Sequence, residues 1–374
     1  MRIANVLSLG AYSAVFFLPL SVWANQNPDT QELISELREE ISILQDQLEE
    51  NNLASANEMK ISGYADIEYH DNSQANANPG FRLHHMSLFF EKNVTDQWKF
   101  FSEIEYEDAP FVEFSRDATD SPCKGCYGKI FLESANFTYS PYAQMNLRGG
   151  RFFTPAGIWS VDHYPSFTPT QLRPEHIREI FPQVVDGLSL FGTVSLSGAF
   201  INYDAYYGNG EGNSGKKDTN SEKAVGTKIS FLFPQFKYLE FGLSSYEDTI
   251  LVDATNSIRK KAAGAHFKFK TGGFTFQGEY AKGQYLPTAA AEYYRTGYYM
   301  QTIYELHKLS LGYRYDFYQE DSNTKDDIIF NSVFVNYQVN PSIVFKLERH
   351  SVSDEVANEN YEHIIGSVVL YLGN

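Results

Sequence analysis

From about residue 59 onward, apolar and polar residues alternate in short runs separated by Gly, Pro, Asn and Asp. A period of two puts successive side chains on opposite faces of a strand, and turn-forming residues bound each run. The pattern predicts about sixteen strands: 59–69, 81–91, 97–107, 129–139, 143–153, 183–191, 195–207, 222–233, 237–247, 259–270, 273–283, 292–304, 308–318, 327–338, 342–353 and 361–372. The connectors alternate in length as well. After a long segment at 71–80, short connectors at 93–96, 140–142, 192–193, 234–236, 271–272, 305–307 and 340–341 interleave with long ones at 108–128, 154–182, 208–221, 248–258, 284–291, 319–326 and 354–360. An even number of strands with short turns on one side and longer loops on the other is the habit of outer-membrane β-barrels. The expected fold is therefore all-β, a transmembrane antiparallel barrel over 59–374, with both ends of the barrel segment on the short-turn side.

The faces support this reading. Leu309, Leu311, Tyr313, Tyr315 and Phe317 alternate with Ser310, Gly312, Arg314 and Asp316, and Ile343, Phe345 and Leu347 alternate with Lys346 and Glu348. A charge on a lipid face costs about 2–4 kcal/mol at the membrane midplane, so the charged set must face an aqueous lumen. A ring of this strand number encloses a channel rather than a packed core. Three strands, near 81–91, 195–207 and 327–338, do not alternate cleanly.

Composition sharpens the picture in two ways. Aromatic residues make up 16%, with 26 Tyr and 29 Phe, although mean hydropathy is −0.37; aromatic girdles beside a polar lumen reconcile the two. A formal charge of −17 argues against a nucleic-acid partner. Residues 1–24 read as a signal peptide, with Arg2 before an apolar stretch and Ala24 at the cut. Residues 25–58 read as a periplasmic leader and linker. There Ile34, Leu37, Ile41, Leu44 and Leu48 form a short heptad seam suited to pairing between subunits or to a solvated spacer helix. Cys123 and Cys126 form the one cysteine pair, expected as a loop disulfide in an exported chain.

The third long connector, 154–182, carries Trp159, Phe167, Phe181, Pro165, Pro169, Pro174 and Pro182. Long loops within compact proteins are usually functional, and this one is expected to fold inward. Arg173, Glu175, His176, Arg178 and Glu179 are then expected at the pore constriction. Pore-wall charges include Glu103, Glu105, Arg148, Arg151, Lys268 and Arg314, and the wall signs nearly cancel. No catalytic constellation, metal site or cofactor is expected.

The passage Gly149-Gly150-Arg151-Phe152-Phe153-Thr154-Pro155, with Arg173, Arg178, Asp186-Gly187 and the first-strand pair Gly63-Tyr64, resembles the phosphate-selective porin O and P family. The resemblance implies a sixteen-stranded, trimeric porin in the outer membrane of a Gram-negative bacterium, in contact with outer-membrane lipid and lipopolysaccharide. The leading reading is a passive channel for small hydrophilic solutes or ions. An anion-selective, phosphate-type porin is the alternative. Remoter readings are a barrel enzyme, for which His84, His85 and His350 offer bases, or a sheath around an electron-transfer partner.

Overall fold

The computed structural model describes residues 58–75, 77–109, 128–211, 220–236, 238–324 and 326–373. The signal peptide, the heptad leader and the Cys123/Cys126 pair lie outside the described residues. Sixteen antiparallel strands follow one another: β1 (Lys60–Asn72), β2 (Gly80–Asn93), β3 (Trp98–Glu107), β4 (Lys129–Tyr142), β5 (Met145–Phe153), β6 (Val184–Leu196), β7 (Ala199–Gly208), β8 (Ala224–Phe233), β9 (Leu239–Leu251), β10 (Ser257–Thr271), β11 (Phe274–Pro287), β12 (Tyr293–Leu306), β13 (Leu309–Gln319), β14 (Asp327–Asn340), β15 (Ile343–Asp354) and β16 (Glu359–Tyr371). Each strand pairs with its chain neighbours. β1 pairs with β16, Tyr64 opposite Tyr371, and closes the ring. One short helix, α1 (His176–Glu179), sits in the third long loop, and a 3-10 turn (Pro234–Phe236) joins β8 to β9.

Alternation sets the two faces. Leu188 is 66% exposed while the next residue, Ser189, is 2% exposed. The same contrast separates exposed Leu311, Tyr313, Phe345 and Leu347 from buried Arg314, Asp316, Lys346 and Glu348. An apolar exterior around a charged interior is stable only where hydrocarbon surrounds the ring. The protein is a transmembrane β-barrel. No helix among the described residues is long and apolar enough to cross a membrane, so the strands do so.

The expected short turn at 192–193 is corrected: those residues lie inside β6, and the turn falls at Ser197-Gly198, with φ of 33° and 90°. Gly192 is a glycine for another reason, since a Cβ there would sit 2.1 Å from the Gln144 carbonyl oxygen. The turn expected at 140–142 likewise moves, to residues 143–144.

The strands that alternate poorly have identifiable causes. In β2 the pairing with β1 passes from Ala65↔Met86 to Ile67↔Leu83, so His84 and His85 together oppose Asp66. A bulge of this kind shifts the side-chain phase by one residue. Phe81 and Leu83 face out before it, and Met86 faces out after it, all three exposed. In β7 and β14 the inner positions include buried Tyr206, Phe330 and Phe334, which mask the polar-in rule.

Candidate functional site

The third long loop, 154–183, lies inside the ring and is fastened to inner-wall side chains around most of it. Near its start Gly157 adopts φ +55°, and a Cβ there would lie 1.7 Å from Glu279 Oε2. The close approach lets Lys228 Nζ donate to the Gly157 carbonyl at 2.5 Å and the Trp159 amide donate to Glu279 Oε1 at 3.0 Å. The Trp159 indole is 1% exposed, edge-on to Tyr299 and beneath the Arg314 guanidinium. Across the lumen, Tyr164 donates its hydroxyl to Glu103 at 3.1 Å. Lys346 donates to the carbonyls of Pro165 and Thr168 at 2.6 and 2.8 Å.

Arg314 is the central fastening. Its Nε meets Asp316 at 2.7 Å, one Nη donates to Thr170 Oγ1 at 2.5 Å, and the other to the Leu172 carbonyl at 2.9 Å. Gln171 joins the loop to the β1 side. Its amide donates to Glu348 Oε1 at 2.6 Å and its side chain to Asp66 Oδ2 at 3.1 Å. On the return path α1 packs on β12, where Gly297 makes room: a Cβ there would be 2.2 Å from His176 Cβ.

The expected constriction residues separate into two groups. Arg173 and Glu175 are half-buried on the loop. His176 is corrected: it is buried beside Tyr299, with its ring 6.0 Å away, and does not line an aperture. Burial and the Arg314 charge push its pKa down to about 3. Burial and nearby Arg173 do the same to His163, also to about 3. Glu179 pairs with Arg295 at 3.3 Å, and the Arg178 side chain lies outside the described residues.

The expected wall residues also divide. Glu103, Glu105 and Arg314 are buried beneath the loop rather than bathed by the lumen. Glu105 accepts from Tyr64 at 2.6 Å and from Ser87 at 2.9 Å. Arg148 is on the inner wall, paired with Asp204 at 2.8 Å between the rings of Phe152 and Phe191. Lys268 is half-buried. Arg151 is a second correction. It forks onto Asp186 at 2.7 and 2.6 Å, and Asp186 shares the outward face of Leu188 by alternation, so Arg151 belongs to the outer rim.

The wall signs are mixed from β5 to β15, where Arg148, Lys228, Lys260 and Arg314 are interleaved with Asp204, Asp248, Glu279, Asp316 and Glu348. Asp66, Glu68, Glu103, Glu105 and Glu133 make an acidic arc on β1, β3 and β4. Several of the cations are matched locally, Arg148 by Asp204, Lys260 by Glu211 and Arg314 by Asp316. The acidic arc instead gathers imidazoles: His85 Nδ1 is 3.1 Å from Asp66 and His70 Nε2 is 2.6 Å from Glu68. The pattern-based reading missed this cluster. Its one local signal is the doubled His84-His85 that breaks the alternation.

His350 stands between Ser332 Oγ at 2.7 Å and Glu348 Oε2 at 3.1 Å. Ser332 and His350 are wholly buried, so this trio presents no nucleophile to a solute.

No family model matches the chain. A sequence relative, an uncharacterized protein of Aquifex aeolicus (strain VF5), is 32% identical over 154 residues, covering 41% of this chain and 32% of that protein. The chain thus spans about a third of the length of the curated relative it matches. Several solved structures share the fold. The anion-selective porin of Comamonas acidovorans matches with a TM-score of 0.61 at 10% identity over 84% of this chain and 99% of that one. OmpF of Salmonella typhi in complex with daunomycin gives 0.57 at 10% over 85% and 98%. A loop-deletion mutant of OmpT, an outer membrane protein of Vibrio cholerae, gives 0.58 at 11% over 84% and 99%.

Proposed function

We propose that the chain is an outer-membrane porin of a Gram-negative bacterium, a passive channel for small hydrophilic solutes or ions. The observation that carries this reading is a transmembrane ring whose third long loop is folded inward and bonded to opposite walls. Such a loop narrows a lumen without closing it chemically, and its half-buried Arg173 and Glu175 then border the passage. Residues 1–24 act as export signal, 25–58 as a periplasmic leader and 59–374 as the channel. Cys123 and Cys126 pair in the second outer loop, three copies assemble, and lipid and lipopolysaccharide surround them. Planar-bilayer recording on refolded full-length protein tests the reading. Stepwise conductance grouped in threes supports it, and silent, well-folded trimers overturn it.

A narrower reading is phosphate-type anion selectivity. The stretch Gly149–Pro155 with Asp186-Gly187 supports membership of the O and P family as a structural unit: Gly150 has φ +123° and tolerates the Ala135 carbonyl, while Arg151 clasps Asp186. Arg151 is consumed by that clasp, so anion preference falls to Arg173 and Arg178. A reversal potential that favours anions and collapses in Arg173→Ala and Arg178→Ala supports the narrower reading. Weak selectivity, unchanged by both, leaves the general channel.

A further inference from the structure

The acidic arc carries a feature that a diffusion channel does not need. The β2 bulge turns two consecutive imidazoles, His84 and His85, to the inner face opposite Asp66. His84 Nδ1 lies 3.0 Å from Glu68 Oε2, and His85 Nδ1 lies 3.1 Å from Asp66 Oδ2. Donor atoms of Asp66, Glu68, His84 and His85 all fall within 4.8 Å of one another. We propose that these four side chains are a binding site for a single borderline divalent cation of the zinc class.

Three observations carry the assignment. The first is the donor set: two imidazole nitrogens and two carboxylates match zinc chemistry. The edge of a tetrahedron with bonds of about 2.0–2.1 Å is about 3.3 Å, close to both measured N···O separations. The second is unsatisfied polarity. Glu68 is 1% exposed, yet its Oε1 has no hydrogen-bond partner, and His84 Nδ1 faces a carboxylate oxygen without forming a hydrogen bond. Buried polar atoms are normally paired, and a shared cation satisfies both. The third is the outer shell. His70 Nε2 contacts Glu68 at 2.6 Å, His363 backs His70 at 2.9 Å, and Gln171 holds Asp66. Such partners orient metal ligands.

The site opens toward the long-loop end, where the His84 and His70 side chains are partly exposed. Because Gln171 also belongs to the inward loop, a bound cation sits beside the passage and adds positive charge to its acidic arc. A channel carrying it shifts toward anions. The assignment rests on the barrel fold, not on conduction, so binding is measured on its own.

Refolded full-length protein in detergent is titrated with Zn2+ by calorimetry and with Co2+ by visible absorption. The expected result is one ion per chain at this site, a four-coordinate Co2+ spectrum, and much weaker binding of Mg2+. Affinity falls at least tenfold in both His84→Ala and Glu68→Gln, with the folded barrel verified by heat-modifiable gel migration. If Glu68→Gln does not fold, His85→Ala replaces it. Binding that keeps its affinity and stoichiometry in the folded variants overturns the site, as does the absence of binding to the folded parent. Loss of conduction with retained Zn2+ binding would instead count against the channel reading alone.

Discussion

Two loops on the same side of the barrel are held in opposite ways. The tip between β9 and β10 closes on itself. Asp253 accepts from the amides of Thr255 and Asn256 at 2.8 and 2.9 Å and from the Asn256 side chain at 2.7 Å. The inward loop makes local bonds too, such as the Thr168 amide to the Tyr164 carbonyl at 2.9 Å, but it is also held to the wall. Gln171, Thr170, Tyr164, Trp159 and Gly157 bond to residues far away in sequence, on strands from β1 to β15. A self-closed tip can vary without consequence for the ring, whereas a wall-bonded loop fixes the shape of the lumen and depends on buried charges to do it. The difference marks which loop shapes the lumen.

The strongest way to break this contrast is Arg314→Ala. It removes two loop fastenings together and leaves Asp316 buried without its partner, at a cost of about 3–5 kcal/mol. The inward loop should leave the wall, raising single-channel conductance and admitting protease within 154–183. Arg314→Lys, which keeps charge but not the fork, should fall between. Parent-like conductance and resistance in Arg314→Ala would refute the idea that this residue seats the loop.

Gly157→Ala is the next largest. The alanine must hold φ +55° and displace the Glu279 carboxylate, together about 2–3 kcal/mol. Because Glu279 also receives the Trp159 amide and the Tyr299 hydroxyl, the loop start should loosen while the ring stays closed. Proteolysis mapped near 156–160, with unchanged heat-modifiable migration, is the expected outcome. An undisturbed loop would mean that Glu279 has room to retreat.

The same contrast explains how much of the molecule was legible in its sequence. Outer-face residues such as Leu311, Tyr313, Phe345 and Leu347 answer to lipid alone, and a local period of two reveals them. The inward loop was legible as a place, through its length, prolines and aromatics. Its fastenings were not, because each joins residues such as Gln171 and Asp66 that only ring closure brings together. Arg151 was misread because its charge suggested lumen, whereas alternation along β6 puts its partner Asp186 outside. His176 was misread because a loop histidine looks solvated until Gly297 is seen to admit it. The imidazole cluster was hidden by one inserted residue in β2, which breaks the periodicity used to find inner faces.

Acid should probe the seating more gently. His163 and His176 have pKa values pushed to about 3 when seated, against an ordinary 6.5. Below pH 6.5 the released loop binds protons that the seated loop cannot, so seating is strongest above 6.5 and weakens steadily down to about pH 3. Protonation sets His176 against Arg314 and His163 against Arg173 and His85. Glu133, 3.5 Å from His163, together with Glu105 and Asp162 offsets part of the second repulsion. Channel flicker should rise between pH 7 and 4. His176→Asn, neutral throughout, should flatten part of that rise, and an equal rise in the variant would assign it to other groups.

The smallest effect is expected at the self-closed tip. Asp253 is exposed, its carboxylate holds only residues within three positions of itself, and nearby amides hold its charged form well below the usual carboxylate range. Asp253→Ala should speed hydrogen exchange at the amides of Thr255 and Asn256, because those donors lose their acceptor. Nothing in the wall bonds to this tip through Asp253, so conductance, its pH dependence and thermal stability should match the parent. A changed conductance would show that the outer tips and the inward loop are coupled across the mouth, and the distinction between local closure and wall closure would then lose its functional meaning.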